Sequence, residues 1–420
     1  MQMTKHNFLE AIKHKSTKLP NSESVQVNIL HEDVCLPAVV VKQRELENNI
    51  AWMQSYANTA NVSLSPHGKT TMTPAIFKRQ IEQGAWGLSV GTAYQAKVAI
   101  ESGIQNIVIA NQVVGKTNIR LLAELVKLNQ ANLYCCVDSI QNAKQLAEVF
   151  SHENQQLNVL IELGVNGGRC GCRTEGEALL LAEELKALPS LVIAGIEFYE
   201  GVIHSDDAGK DIHDVQQFLH RVLETSQKLD SLGAFDKHQG EILLTGAGSV
   251  WYDLVSKKMA DFTFSKPFRF VIRPGCYITH DHGIYDEAQK ALKARDSIAC
   301  QLEGDLMPAM EIVALVQSIP EKGRAIVNFG KRDVAFDAGL PQPIAQYRDS
   351  KQLSFQRGNA KTIGLMDQHA ILSFDENCHF QVGDILVFGT SHPCITFDKW
   401  KIIYLTDDEY TVLEEMPTYF

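Results

Sequence analysis

The stretch Val62-Ser63-Leu64-Ser65-Pro66-His67-Gly68-Lys69-Thr70 is a short apolar run that breaks into a turn and ends on a lysine. Pro66 and Gly68 flank the turn, so Lys69 falls just past the C-terminal end of a strand. The same grammar recurs on both sides of it. Residues 38–41, 87–90, 107–110, 133–137, 159–163, 192–198 and 242–244 are further apolar runs. Segments of helical period, such as 118–129, 140–150 and 175–188, lie between most of them. Strands alternating with helices imply a parallel sheet. Roughly eight such units in about 240 residues is the size of a (β/α)8 barrel. A doubly wound open sheet is the alternative, but no Gly-rich dinucleotide loop follows the first run.

After Gly275 the texture changes. Residues 312–316, 324–328, 370–374, 385–387 and 401–405 read as strands without long amphipathic helices between most of them. A mainly antiparallel β-domain is expected there. The organisation expected is a barrel over 35–275 and a β-domain over 276–420. Residues 1–34 supply a helix (1–18) and a strand (25–30) that joins the β-domain.

The formal charge of −11 argues against a nucleic-acid partner, because phosphate binding needs a basic surface. No run of eighteen apolar residues is present, so no membrane span is expected. The first 18 residues are charged and polar, without an apolar secretory core. Nine cysteines, an odd number spread thinly, read as free thiols of a reducing compartment, with the cytoplasm as the default.

Four motifs carry chemistry. A lysine beside a strand end can be desolvated, which lowers its pKa and makes it a nucleophile toward a carbonyl. In Gly164-Val165-Asn166-Gly167-Gly168-Arg169-Cys170-Gly171-Cys172-Arg173, glycines allow close backbone approach and Arg169 can fork onto an anionic oxygen. The alternative there is a flexible loop, and Cys170 with Cys172 is too isolated for a metal site. Thr245-Gly246-Ala247-Gly248-Ser249 follows a strand and suits a phosphate. His392-Pro393-Cys394 sets an imidazole and a thiol two residues apart, and both favour zinc. Spacing does not choose a third ligand among His280, His282 and His369.

These motifs occur in order with Asp138-Ser139, Gly195-Ile196-Glu197-Phe198-Tyr199-Glu200-Gly201 and Pro274-Gly275-Cys276-Tyr277. Together they resemble the D-serine dehydratase / D-threonine aldolase family of pyridoxal-phosphate enzymes. Its fold is alanine-racemase-like, a (β/α)8 barrel with an antiparallel β-domain. The resemblance covers roughly residues 30–405. It implies that Lys69 carries the cofactor, that Arg169 lies near its phenolic oxygen and that Tyr199 lies by its ring. His67, Thr245, Gly246, Gly248, Ser249, Gly275 and Tyr277 complete the cofactor site, and Lys69 and Tyr199 are the catalytic pair. His392 and Cys394 match the zinc ligands of the dehydratase branch. The aldolase branch typically has an aspartate in place of Cys394, so cysteine favours zinc and dehydration. Departures lie at Gly167-Gly168, at residues 330–333 and in the His-containing stretch 276–286. The activity implied is zinc-dependent dehydration of D-serine or a similar D-3-hydroxy amino acid to a keto acid and ammonia, by a homodimer. A D-threonine aldolase-type cleavage or an amino-acid racemase are the alternatives. A non-catalytic cofactor carrier fits poorly with the long segment after Gly275.

Overall fold

The computed structural model describes residues 14–18, 26–260 and 262–420. Its strands in chain order begin with β1 (Ala38–Lys42), β2 (Ser63–Leu64), β3 (Leu88–Val90), β4 (Asn106–Gln112) and β5 (Asn132–Val137). Then come β6 (Leu157–Leu163), β7 (Leu191–Phe198), β8 (Ile242–Gly246) and β9 (Phe268–Ile272). Strands β2 to β9 make one eight-stranded sheet in the order β2-β9-β8-β7-β6-β5-β4-β3, with every pairing parallel. The edges β2 and β3 are drawn together past their ends. His67 bridges Ser89, Trp86 N–H donates to Leu64 O at 2.8 Å, and Ser89 N–H donates to Pro66 O at 2.9 Å. The result is an α/β barrel with helices between its strands.

One expectation changes. The run 38–41, read above as the first barrel strand, is β1, and it belongs to the other sheet. It pairs antiparallel with β10 (Met310–Glu321) and parallel with β17 (Ile402–Thr406). The eighth barrel strand is instead β9. The reason is burial on both faces. Val39 and Val41 pack into the main core, while Ala38 and Val40 pack into a second cluster with Val313, Val387 and Tyr404. A strand covered on both sides reads as a continuous apolar run in either kind of sheet.

The second sheet has ten strands and is antiparallel apart from β1 with β17. Besides β1, β10 and β17 it contains β11 (Arg324–Val327), β12 (Gln342–Arg348), β13 (Lys351–Gln352), β14 (Ala360–Leu365), β15 (Ala370–Phe374), β16 (Ile385–Gly389) and β18 (Val412–Pro417). The helix expected over 1–18 falls mostly outside the described residues. The segment expected as a strand at 25–30 contains a 3-10 turn, Ile29–His31, whose N-cap Asn28 accepts from Leu30 N–H. It still joins this sheet's edge, where Asn28 bridges Thr411 and Val412 N–H donates to Val27 O.

The barrel interior is layered. Val108, Tyr134, Leu160, Leu243 and Val271 form an apolar cluster. Two residues further along their strands, Cys136, Glu162 and Arg273 point the same way, because side chains alternate along a strand. They make a polar layer at the C-terminal mouth, where barrels place reactive groups. On β7 the phase is broken. Between β6 and β7 the register shifts, Val159 facing Ile193 and Leu160 facing Gly195. A Cβ on Gly195 would lie 1.9 Å from Leu243 O, so only glycine fits. Past this bulge Glu197, rather than Ile196, joins the inward layer.

Candidate active site

Lys69 lies in a 3-10 turn, Gly68–Thr70, directly after β2. A Cβ on Gly68 would meet Leu88 Cδ2 at 2.7 Å, so the turn packs tightly on β3. Two cavities, of about 350 and 470 Å³, meet there and share His67, Lys69, Gln95, Tyr199 and Arg273. The first runs into the barrel mouth past Arg169, Glu162 and Glu197. The second runs toward the β-domain past Gly248, Ser249, Gly275, Cys276, His392 and Cys394. Burial lowers the pKa of Lys69, opposed by the nearby Cys394 thiol and reinforced by Arg169. More of the amine is therefore neutral than in a solvated lysine.

The Gly-rich loop after β6 is built around an arginine. Arg173 donates to Cys170 O and Gly171 O, each at 2.7 Å, and Arg221 donates to Arg173 O. Asp138 accepts from Gly171 N–H at 2.9 Å. The loop is thus organised, and it holds the Arg169 guanidinium 4.2 Å over the Tyr199 ring, a cation–π contact. Glycines make room for that ring. A Cβ on Gly201 would meet the Tyr199 hydroxyl oxygen at 2.4 Å, and one on Gly248 would meet its Cε2 at 2.9 Å.

The turn after β8 differs from a simple anion cradle. The buried Glu200 carboxylate accepts from Ala247 N–H at 3.1 Å and Gly248 N–H at 2.8 Å, so those donors are already engaged. The donors that converge are Gly275 N–H and Cys276 N–H, both 3.2 Å from Ser249 Oγ. Of the residues the resemblance assigns to the cofactor, His67, Lys69, Arg169, Tyr199, Gly248, Ser249 and Gly275 line the cavities. Thr245, Gly246 and Tyr277 do not. Thr245 Oγ1 donates to Val271 O, Gly246 packs on the Phe198 ring, and Tyr277 OH accepts from Gln80.

Arg273 escaped the sequence reading. It is buried, pairs with Glu197 and donates to Phe198 O at 3.0 Å. Its Nε and Nη1 atoms, and His67 Nδ1, are buried without a hydrogen-bond partner among the described residues. Cys136, Glu162 and Glu197 have ligand atoms all within 4.8 Å of one another, a grouping able to hold a metal. Arg273 already supplies the positive charge there. Burial and the charge of Glu197 push Glu162 up to about 8, which favours a proton in this layer beside the guanidinium.

His392 and Cys394 follow β16. The His392 φ of 42° is left-handed, and Asp281 Oδ2 anchors the strained residue by accepting its N–H at 3.1 Å. Asp337 Oδ2 lies 2.7 Å from His392 Nδ1, which leaves Nε2 for a ligand. A carboxylate behind an imidazole is the usual support of a metal-binding histidine. Cys394 Sγ is 3.3 Å from Cys276 Sγ and 3.5 Å from Thr70 Oγ1. Hydrogen bonding from Cys276 holds the Cys394 thiol well below its usual range, with His392 adding to the effect. Of the histidines left open as third ligands, His280, His282 and His369 are not among the residues lining either cavity.

A parallel barrel with a lysine past its first strand, backed by a β-domain, defines the alanine-racemase-like class. Residues 41–235 match the alanine racemase N-terminal domain, and residues 309–406 match the putative serine dehydratase domain. The chain thus resembles the D-serine dehydratase / D-threonine aldolase family over both of its parts. It is 28% identical to a D-threonine aldolase of Arthrobacter sp. over 73% of this chain and 74% of the relative. It is 24% identical to a 3-hydroxy-D-aspartate aldolase of Paracoccus denitrificans over 88% of each. The same fold is seen in D-threonine aldolase from Filomicrobium marinum, with a TM-score of 0.74, 24% identity and coverage of 94% and 97%. D-threo-3-hydroxyaspartate dehydratase from Delftia sp. has it too, with a TM-score of 0.71, 18% identity and coverage of 94% and 99%. Solved variants of that dehydratase replace a histidine and, two positions on, a cysteine by alanine, the latter in a metal-free form.

Proposed function

We propose that this chain is a lyase that dehydrates a small D-3-hydroxy amino acid such as D-serine, using pyridoxal phosphate on Lys69 and zinc on His392 and Cys394. One observation carries the reading. Lys69 and the His392–Cys394 pair open onto the same cavity, with Cys394 touching the residue after Lys69. A base for the α-carbon and a ligand pair for a β-oxygen would then serve one substrate.

The residues fit the cofactor. Ser249 Oγ accepts from the Gly275 and Cys276 N–H groups, which leaves its own hydroxyl proton to donate to an anionic oxygen in the cavity. The unpartnered atoms of Arg273 and His67 offer polar partners for a heteroaromatic ring. They also fit a metal, because Cys394 is held toward the thiolate and His392 Nδ1 is backed by Asp337. Pyridoxal phosphate, when bound, supplies an electron sink for the α-carbon. Zinc, when bound, supplies a Lewis acid for the leaving hydroxyl. Lys69, with its lowered pKa, takes the α-proton. Arg169 and Tyr199 fix the ring's neighbourhood through their stacked pair. Loss of the α-proton and β-hydroxide removes water, and hydrolysis then releases ammonia and the keto acid.

The aldolase names of the relatives quoted favour a second reading, cleavage of the Cα–Cβ bond. Product analysis separates the two. D-Serine, D-threonine and D-threo-3-hydroxyaspartate are supplied with and without a chelator. Keto acid and ammonia, lost on chelation, support dehydration; glycine and an aldehyde overturn it. Homodimeric, cytoplasmic operation belongs to the same reading. The nine free cysteines support only the reducing compartment, and light scattering checks the assembly. Among the described residues no helix is long and apolar enough to cross a membrane.

A further inference from the structure

We propose that Cys276 is a third protein ligand of the metal held by His392 and Cys394, giving a His–Cys–Cys set with one position left open. The proposal rests on the metal reading above. Cys276 Sγ lies 3.3 Å from Cys394 Sγ, and Cys276 lines the same cavity as Lys69 and His392. Two sulfurs on one tetrahedral zinc stand about 3.8 Å apart, given Zn–S bonds of about 2.3 Å. The two thiols therefore need to part by only about half an ångström, with His392 closing from the other side, to share an ion.

Coordination number argues the same way. Catalytic zinc keeps three protein ligands and one open position, and His392 with Cys394 supplies two. The two carboxylates that touch His392 are committed. Asp281 Oδ1 accepts from the N–H groups of Gly283, Tyr285 and Asp286, and its Oδ2 accepts from His392 N–H. Asp337 is engaged by His392 Nδ1. Cys276 is the thiol that remains. Its backbone is fixed at the start of a 3-10 turn, Cys276–Ile278, with its N–H on Ser249 Oγ. A rigid backbone and a buried side chain hold Sγ against Cys394.

The consequence is selectivity. Two thiolates make a soft donor set that prefers zinc to magnesium or manganese. The proton that Cys276 shares with Cys394 leaves to solvent as the ion binds. If Cys276 were only a small apolar side chain packed beside Cys394, none of this would follow.

The test uses reduced holoenzyme loaded with zinc. X-ray absorption at the zinc edge counts sulfur neighbours in the unaltered protein, so it does not depend on any variant folding. Two sulfurs are expected, and one overturns the proposal. Cobalt(II) provides a second readout. In Cys276→Ser the near-ultraviolet sulfur-to-cobalt band should fall by about half and metal affinity by at least tenfold. Circular dichroism verifies that the variant is folded. An unchanged band and affinity in folded Cys276→Ser, with both lost in Cys394→Ser, sinks the third ligand while sparing the metal reading. Failure of the unaltered protein to bind zinc or cobalt overturns both.

Discussion

Asp337 Oδ2 lies 2.7 Å from Nδ1 of His392, 55 residues further along the chain. The contact orients the imidazole and sets which nitrogen faces the cavity. Removing such a partner typically weakens a metal about 10–100-fold. Asp337→Ala should lower zinc affinity by that factor, read by competition with a chromophoric chelator. Equal affinity would mean that the Asp337 contact does not support a metal-bound His392.

Lys69 is the cofactor-bearing residue of the proposed reaction. The native protein should be yellow, and borohydride should fix the cofactor to the peptide containing Lys69. Lys69→Ala should abolish that covalent link and lower turnover by at least a thousandfold, an effect of about 4 kcal/mol. Labelling of a different lysine in the mass spectrum would displace Lys69 from the role.

Gly248 gives the Tyr199 ring its space, with a virtual Cβ 2.9 Å from the ring. Gly248→Ala should push Tyr199 out of its contact with Arg169. Cofactor affinity should fall about tenfold, equivalent to 1.4 kcal/mol of lost binding, while the fold stays intact. Fluorescence titration of the cofactor-free protein reads the change.

Glu200 satisfies the N–H groups of buried Ala247 and half-buried Gly248, and Ala247 has a left-handed φ of 66°. Glu200→Ala strands both donors and frees the strained residue. The loss should be about 2–4 kcal/mol of stability, seen as a lower urea midpoint. A midpoint within experimental error of the parent would show that the turn holds itself.

Burial, and then the charge of Glu197, raise the Glu162 pKa to about 8 from an ordinary value of 4.5. The folded state therefore binds more protons than the unfolded chain across that window, and stability falls as pH rises through it. Glu162→Gln removes the group that titrates. Its urea midpoint should change less between about pH 5 and 8 than the parent's. A parallel pair of profiles would assign the slope elsewhere.

Much of this was legible in the residues themselves. Alternating apolar runs and helical segments specify a parallel α/β sheet because strand and helix periods differ and each must bury one face. Lys69 past an apolar run, and His392 two residues before Cys394, are local arrangements that spacing carries. Periodicity does not say what a buried face packs against. Residues 38–41, covered on both faces, therefore read as a barrel strand, and only their pairing with β10 and β17 moves them to the other sheet. A strand's phase is likewise legible only while it is regular, and the bulge at Gly195 turns Glu197 into the barrel against simple alternation. The remaining contacts of the site join residues far apart in the chain. Cys276 meets Cys394 across 118 positions, and Asp337 meets His392 across 55. Nothing local encodes such meetings, because they are set by how the β-domain closes over the barrel mouth.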